Sequence, residues 1–134
     1  MPIEESVHYK LLDTGATEDW LWTAAVGDGE VRLGPNHRTF NLVMQHELHC
    51  LRWVRWALEG QNAVEGHERM HLTHCLNFIR QLTLCAADAT LEASDVLTRN
   101  FTLNRWNEDH ICADWPAIYT AMEINWKEWR GVEW

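Results

Sequence analysis

Two stretches of this chain repeat one arrangement of side chains that favour metal ions. His46-Glu47-Leu48-His49-Cys50 and His71-Leu72-Thr73-His74-Cys75 both read His-x-x-His-Cys. With eight His and four Cys in 134 residues, about 0.01 such matches are expected by chance, so two of them need a cause. On an α-helix, positions three and four apart share a face, so each motif sets two imidazoles and a thiol within an arc of ~100°. Imidazole suits copper, zinc, iron and nickel rather than calcium or magnesium. His46, His49, His71 and His74 are therefore the candidate metal ligands and the candidate catalytic residues.

The patterning around the motifs says what must position them. Apolar residues at helical spacing (Leu48, Leu51, Leu58) predict a helix from about Asn41 to Glu59, with Gly60 as its stop. A second pattern, free of internal Pro and Gly, predicts a helix from about Gly66 to Ala87, a rod of roughly 30 Å. On it His67, His71, His74, Phe78, Leu82 and Cys85 form one seam, and that seam is expected to be the buried face. If the two helices form an antiparallel hairpin with its loop centred near residue 63, His49 comes level with His74 and Cys50 with Cys75. Imidazoles from both sides then reach one centre or two adjacent ones.

Asp114 ahead of Trp115-Pro116 is a helix start, and Ile118, Met122, Trp126 and Trp129 form a stripe that ends at Gly131. From His8 to about Pro35 the helical pattern is poor, and Val26 to Leu33 alternates around Asp28-Gly29 as a small hairpin would. Leu91 to Asp109 reads as mostly irregular. The expected fold is mainly α: one small domain over residues 1–134, with its core at about 8–130. A helical hairpin carries both motifs, a C-terminal helix packs on it, and the N-terminal segment is rich in loops with one short strand pair.

Other residues carry weaker signals. His110 and His67 are further candidates as ligands or as supports of ligands; His8 and His37 rank below them. Trp53 falls on the same side of its helix as His46 and His49, where it either packs or walls a substrate pocket. Asp88 and Glu92 read as solvated residues at a helix end. Cys75 and Cys85, ten residues apart on one helix, are separated by ~15 Å and cannot be bridged. Two readings of the thiols stay open: Cys50–Cys75 with Cys85–Cys112 as disulfides, or reduced cysteines with Cys50 or Cys75 ligating the metal. Asn100-Phe101-Thr102 matches a glycosylation acceptor pattern.

The composition sets outer limits. A chain with 46% hydrophobic and 23% charged residues can bury a core. Its formal net charge of -9 opposes a grip on phosphate backbones, which argues against nucleic acid. No stretch approaches the ~20 apolar residues of a membrane span, and the chain as written is expected to be soluble.

The twin motifs, together with Leu51 to Arg55, Leu76-Asn77-Phe78-Ile79-Arg80, Cys85-Ala86-Ala87-Asp88 and His110-Ile111-Cys112-Ala113-Asp114-Trp115, resemble the UstYa-like family of fungal oxidases. The resemblance runs from about His8 to Trp129. It implies a copper cofactor and oxidative C–H chemistry (cyclisation, hydroxylation, desaturation or halogenation) on a peptide or small-molecule natural product, with molecular oxygen or a reduced oxygen species as partner. His46, His49, His71 and His74 would then be the copper ligands. Members of the family usually carry an N-terminal membrane anchor. The resemblance thus implies a secretory lumen for a trimmed member and a soluble cytoplasmic place for one without an anchor. Three other readings stand beside the oxidase: a copper-dependent halogenase, a non-catalytic module whose histidines close a structural metal site, and a helical interaction protein docking through its tryptophans.

Overall fold

The computed structural model describes residues 2–4, 8–60, 65–89, 100, 103 and 106–131. The sequon partners Phe101 and Thr102, Glu92, most of the stretch from Leu91 to Asp109, and the hairpin loop around residue 63 lie outside them. Within the described residues the chain is mainly helical. Strand β1 (Pro2–Glu4) is followed by helix α1 (Ala16–Leu21), a 3-10 turn (Val26–Gly29), strands β2 (Glu30–Leu33) and β3 (Arg38–Asn41), helices α2 (Val43–Leu58) and α3 (Gly66–Ala86), strand β4 (Trp106–Asp109) and helix α4 (Trp115–Arg130).

The long helices begin and end for local reasons. Beyond α2, Gly60 has φ 77°, which its missing Cβ permits. Ala87 closes α3 in the left-handed conformation and donates its N–H to Thr83 O. At α4 the Asp114 carboxylate accepts from Ala117 N–H at 3.1 Å, and Pro116 sits in the first turn, where a missing N–H is harmless.

The N-terminal third differs from the sequence expectation. A strand pair is present, but β2 and β3 pair antiparallel from Glu30↔Asn41 to Leu33↔Arg38, so the chain reverses at residues 34–37 and not at Asp28-Gly29. Gly34 at φ 75° and His37 at φ 44° make that reversal. Asp28-Gly29 belongs instead to the turn that precedes β2. Six residues read as loop form α1, and Trp106–Asp109, read as irregular, pair with β1. Both elements are too short for a periodic pattern to show.

Helix α4 mainly covers β2 and the Val26–Gly29 turn, rather than the α2–α3 pair as expected. Met122, Ala25 and Val31 are buried together there, with Leu42, Ile118 and Tyr119 packed against them. Directional bonds pin the contact. Asn125 donates from Nδ2 to Arg32 O and accepts at Oδ1 from Arg32 N–H, each at 2.8 Å, and Tyr119 donates to Thr23 O at 2.6 Å. Buried Arg55 ties the N-terminal segment to α2: Nε donates to Leu11 O at 3.2 Å, Nη2 reaches Thr17 Oγ1, and the guanidinium pairs with Glu59.

Candidate functional site

Helices α2 and α3 pack directly on each other, and both motifs lie at their seam. Cys50 and Cys75 are fully buried there, close enough for their thiols to hydrogen-bond. Burial first, and the neighbouring thiol second, push Cys50 up to about 12. All four cysteines stand as free thiols, with Cys85 and Cys112 exposed. The disulfide scheme weighed from the sequence is not formed in this structure.

The imidazoles meet across the seam in two tiers. His46 faces His74 with ring centroids 5.4 Å apart and the rings near parallel; their Nε2 atoms are 3.5 Å apart. His49 faces His71 at 5.6 Å. Within each helix the two rings are 6.3 Å apart, His46 to His49 and His71 to His74. The partners are thus His46 with His74 and His49 with His71, one step along the helices from the expected levelling of His49 with His74. Aromatic side chains bracket the tiers. Phe78 lies 4.1 Å from His46 and 5.9 Å from His74, while Trp53 lies 4.5 Å from His71 and 6.5 Å from His49.

The histidine seam is not sealed in a core as expected. His67 and His74 are exposed, and His46, His49 and His71 are partly buried. The seam between α2 and α3 closes on the thiol side only, which leaves the imidazole side open to two cavities. One, of about 400 Å³, is lined by Leu21, Ala24, Asp28, His49, Arg52, Trp53 and Trp56. The other, of about 230 Å³, is lined by Asp28, Glu30, Asn41, Gln45, His46 and His49. Trp53 therefore does wall a pocket beside the imidazoles, with Trp56 set edge-on against it at 5.1 Å. A larger apolar groove, lined by Met44, Leu48, Leu51, Ile79, Trp115 and Tyr119 among others, includes none of the four histidines.

Partial burial favours neutral rings. His49 is held below its ordinary value by burial, with Arg52, His71 and His46 acting the same way against the pull of Asp28. His71 is lowered by burial and then by His74, His67 and His46. A neutral imidazole has a lone pair to offer, which a protonated one lacks.

A bound transition ion would set a limit on how far apart two ligand nitrogens can lie. Two imidazole nitrogens at ~2.0–2.1 Å from one ion are at most ~4 Å apart, and the 3.5 Å between His46 and His74 Nε2 lies within that span. Among the described residues no three His, Cys, Asp or Glu side chains are drawn into one shell. The fit is that of the cross-helix pair His46 and His74, with His49 and His71 as a neighbouring tier.

The remaining sequence candidates fall elsewhere. His67 lies 6.4 Å from His71 with its ring tilted by 51°. His110 lies 2.8 Å through Nδ1 from Asp88, away from the tiers. His8 meets Asp19 at 3.3 Å, and His37 serves the β2–β3 reversal. Asp28, Arg52 and Trp56 were missed as site residues. For Trp56 a signal existed, since it continues the face of His49 and Trp53; the other two depend on a contact between α2 and a distant turn.

A mainly helical protein with imidazole pairs facing across two packed helices, each pair member from its own His-x-x-His-Cys motif, is the class these observations define. The sequence pattern of the family described as "Mycotoxin biosynthesis protein UstYa" matches residues 22–130, and the chain belongs to that family. It is 33% identical over 125 residues to the oxidase ustYa of Aspergillus flavus, covering 79% of this chain and 57% of that protein. It is 30% identical over 92 residues to the UstYa family oxidase phomYe of Diaporthe leptostromiformis, covering 63% and 32%. The hydroxylase cctR of Talaromyces islandicus is 33% identical over 78 residues, covering 54% and 28%. The chain thus spans between about a third and just over half the length of the first of these curated relatives. No solved structure matches it.

Proposed function

We propose that this chain is a copper-dependent oxidase that tailors a peptide or small-molecule natural product at a C–H bond, by cyclisation, hydroxylation or desaturation. The observation that carries the reading is the double tier of imidazoles, one of which, His49, opens onto an aromatic-walled cavity, in a family whose named members include oxidases and a hydroxylase. His46, His49, His71 and His74 would hold the metal. Copper held there would supply one-electron redox chemistry.

The chain's own residues supply the rest. Partial burial keeps the His49 and His71 rings neutral and ready to donate a lone pair. Trp53 and Trp56 offer flat apolar walls beside His49 that take up a substrate group. Phe78 closes the other end of the tiers against His46. Copper(II) EPR on the purified chain tests the reading: nitrogen hyperfine structure is expected in the wild type and altered in each His→Ala variant. Oxidation that continues undiminished after exhaustive chelation overturns it.

A further inference from the structure

We infer that Asp28 is a positioning residue that holds His49 in the tautomer and orientation a metal ligand needs; this rests on the copper reading above. The argument begins with the backbone. Gly27, Asp28 and Gly29 have φ of 68°, 53° and 88°, three consecutive residues on the left-handed side. For a non-glycine residue such as Asp28 that conformation is uncommon, and single instances are mostly tolerated where the surroundings impose them. The surroundings here do. A Cβ on Gly27 would fall 2.5 Å from the Trp126 ring, and one on Gly29 2.5 Å from Gln45 Cβ. The turn is wedged between α4 on one side and α2 on the other, and neither neighbour leaves room for a side chain. Only the middle residue projects one.

What it projects reaches the imidazole tier. Asp28 Oδ1 accepts from Arg52 Nη2 at 3.1 Å, and Asp28 Oδ2 lies 3.9 Å from His49 Nδ1. Each carboxylate oxygen thus has its own partner on α2. Arg52 is also held by Thr23, whose Oγ1 accepts from Nη1 at 3.0 Å, so the guanidinium is fixed and fixes the carboxylate in turn. At 3.9 Å the carboxylate faces Nδ1 about 1 Å beyond hydrogen-bond distance, and the proposed role requires that gap to close. With Nδ1–H directed at Asp28, the lone pair of His49 would be on Nε2, the nitrogen left for a metal. Carboxylates that accept from the second nitrogen of a ligating His set its tautomer and raise its basicity. Asp28 also borders both cavities beside the tiers, so the same carboxylate stands where they meet.

The test compares wild type, Asp28→Asn and Asp28→Ala, with circular dichroism and Tm establishing that each folds. Long-range ¹H–¹⁵N NMR on the metal-free chain reads the His49 tautomer, and calorimetric titration with copper(II) reads affinity. The expected result is an Nδ1–H tautomer in the wild type, a shift toward Nε2–H in both variants, and copper binding weakened about 10–100-fold. An unchanged His49 tautomer in folded Asp28→Ala overturns the inference, whatever the metal does. A wild type that binds no copper overturns the proposed function instead, while the tautomer comparison still decides the role of Asp28.

Discussion

Met122 and His74 mark two regions of one small chain that are built on opposite terms. Around Met122, α4 closes on β2 and the Val26–Gly29 turn with apolar contact and directional bonds from Asn125 and Tyr119, and Met122 itself is 1% exposed. Around His74, α2 and α3 meet through two buried thiols and four partly open rings, with cavities alongside. The first region spends its contacts on stability; the second keeps its ring nitrogens partly open to solvent, which spares them the cost of burial, and sets His46 and His49 beside cavities. The difference separates a closed frame from the open seam it carries, and the proposed function is placed at that seam.

Substitutions can break that division. His46→Ala or His74→Ala should abolish copper-dependent oxidation, by about a hundredfold or more, since loss of a ligand should cost at least what loss of its support does. Tm should move little, because His74 is exposed; EPR and thermal melts on the same samples check both halves. Met122→Ala should do the reverse. Truncating a buried Met destabilises by about 2–5 kcal/mol, a shift of several degrees in Tm, with the copper spectrum of the folded fraction unchanged. Gly27→Ala should affect both regions, costing on the order of 1–3 kcal/mol through backbone strain alone and disturbing the His49 tautomer, as melts and NMR would show.

Two smaller effects sharpen the comparison. Iodoacetamide at pH 8 should modify exposed Cys85 and Cys112 rapidly and leave Cys50, whose thiol is pushed up to about 12, untouched until the chain unfolds. Mass spectrometry reads the count of adducts. Folding also lowers the His49 and His71 values below the ordinary 6.5. The unfolded chain therefore takes up protons first as pH falls. Stability from these rings is complete above about pH 6.5 and is lost as pH drops through the lowered values. Because both rings are only partly buried, the effect should be the smallest of the five; Tm measured from pH 7.5 to 5 follows it, and His49→Ala with His71→Ala should flatten the curve.

The long helices and the four imidazoles were legible because helical spacing repeats over many residues and because His-x-x-His-Cys occurs twice. Local rules also sufficed at Asp114, which caps α4 as its type and position suggest. What escaped depends on contacts far apart in the chain. The placement of α4 is decided by Met122 meeting Ala25 and Val31, about ninety residues away, and no pattern along α4 names that partner. Asp28-Gly29 carries the residue types of a hairpin turn; the packing of Trp126 and Gln45 against its glycines makes it something else. The exact pairing of His46 with His74 follows from how the two buried cysteines seat the helices, a detail finer than counting from a loop can deliver.

The contact of Trp126 with Gly27 joins the last helix to the imidazole tiers by a short mechanical route. An indole bears on a glycine, the adjoining carboxylate is thereby aimed, and an imidazole on another helix receives the aim. Events at the far end of the chain, whether a bound neighbour or a shortened C-terminus that removes the indole, would thus be felt at His49 as a change of grip, without any of the four histidines being touched.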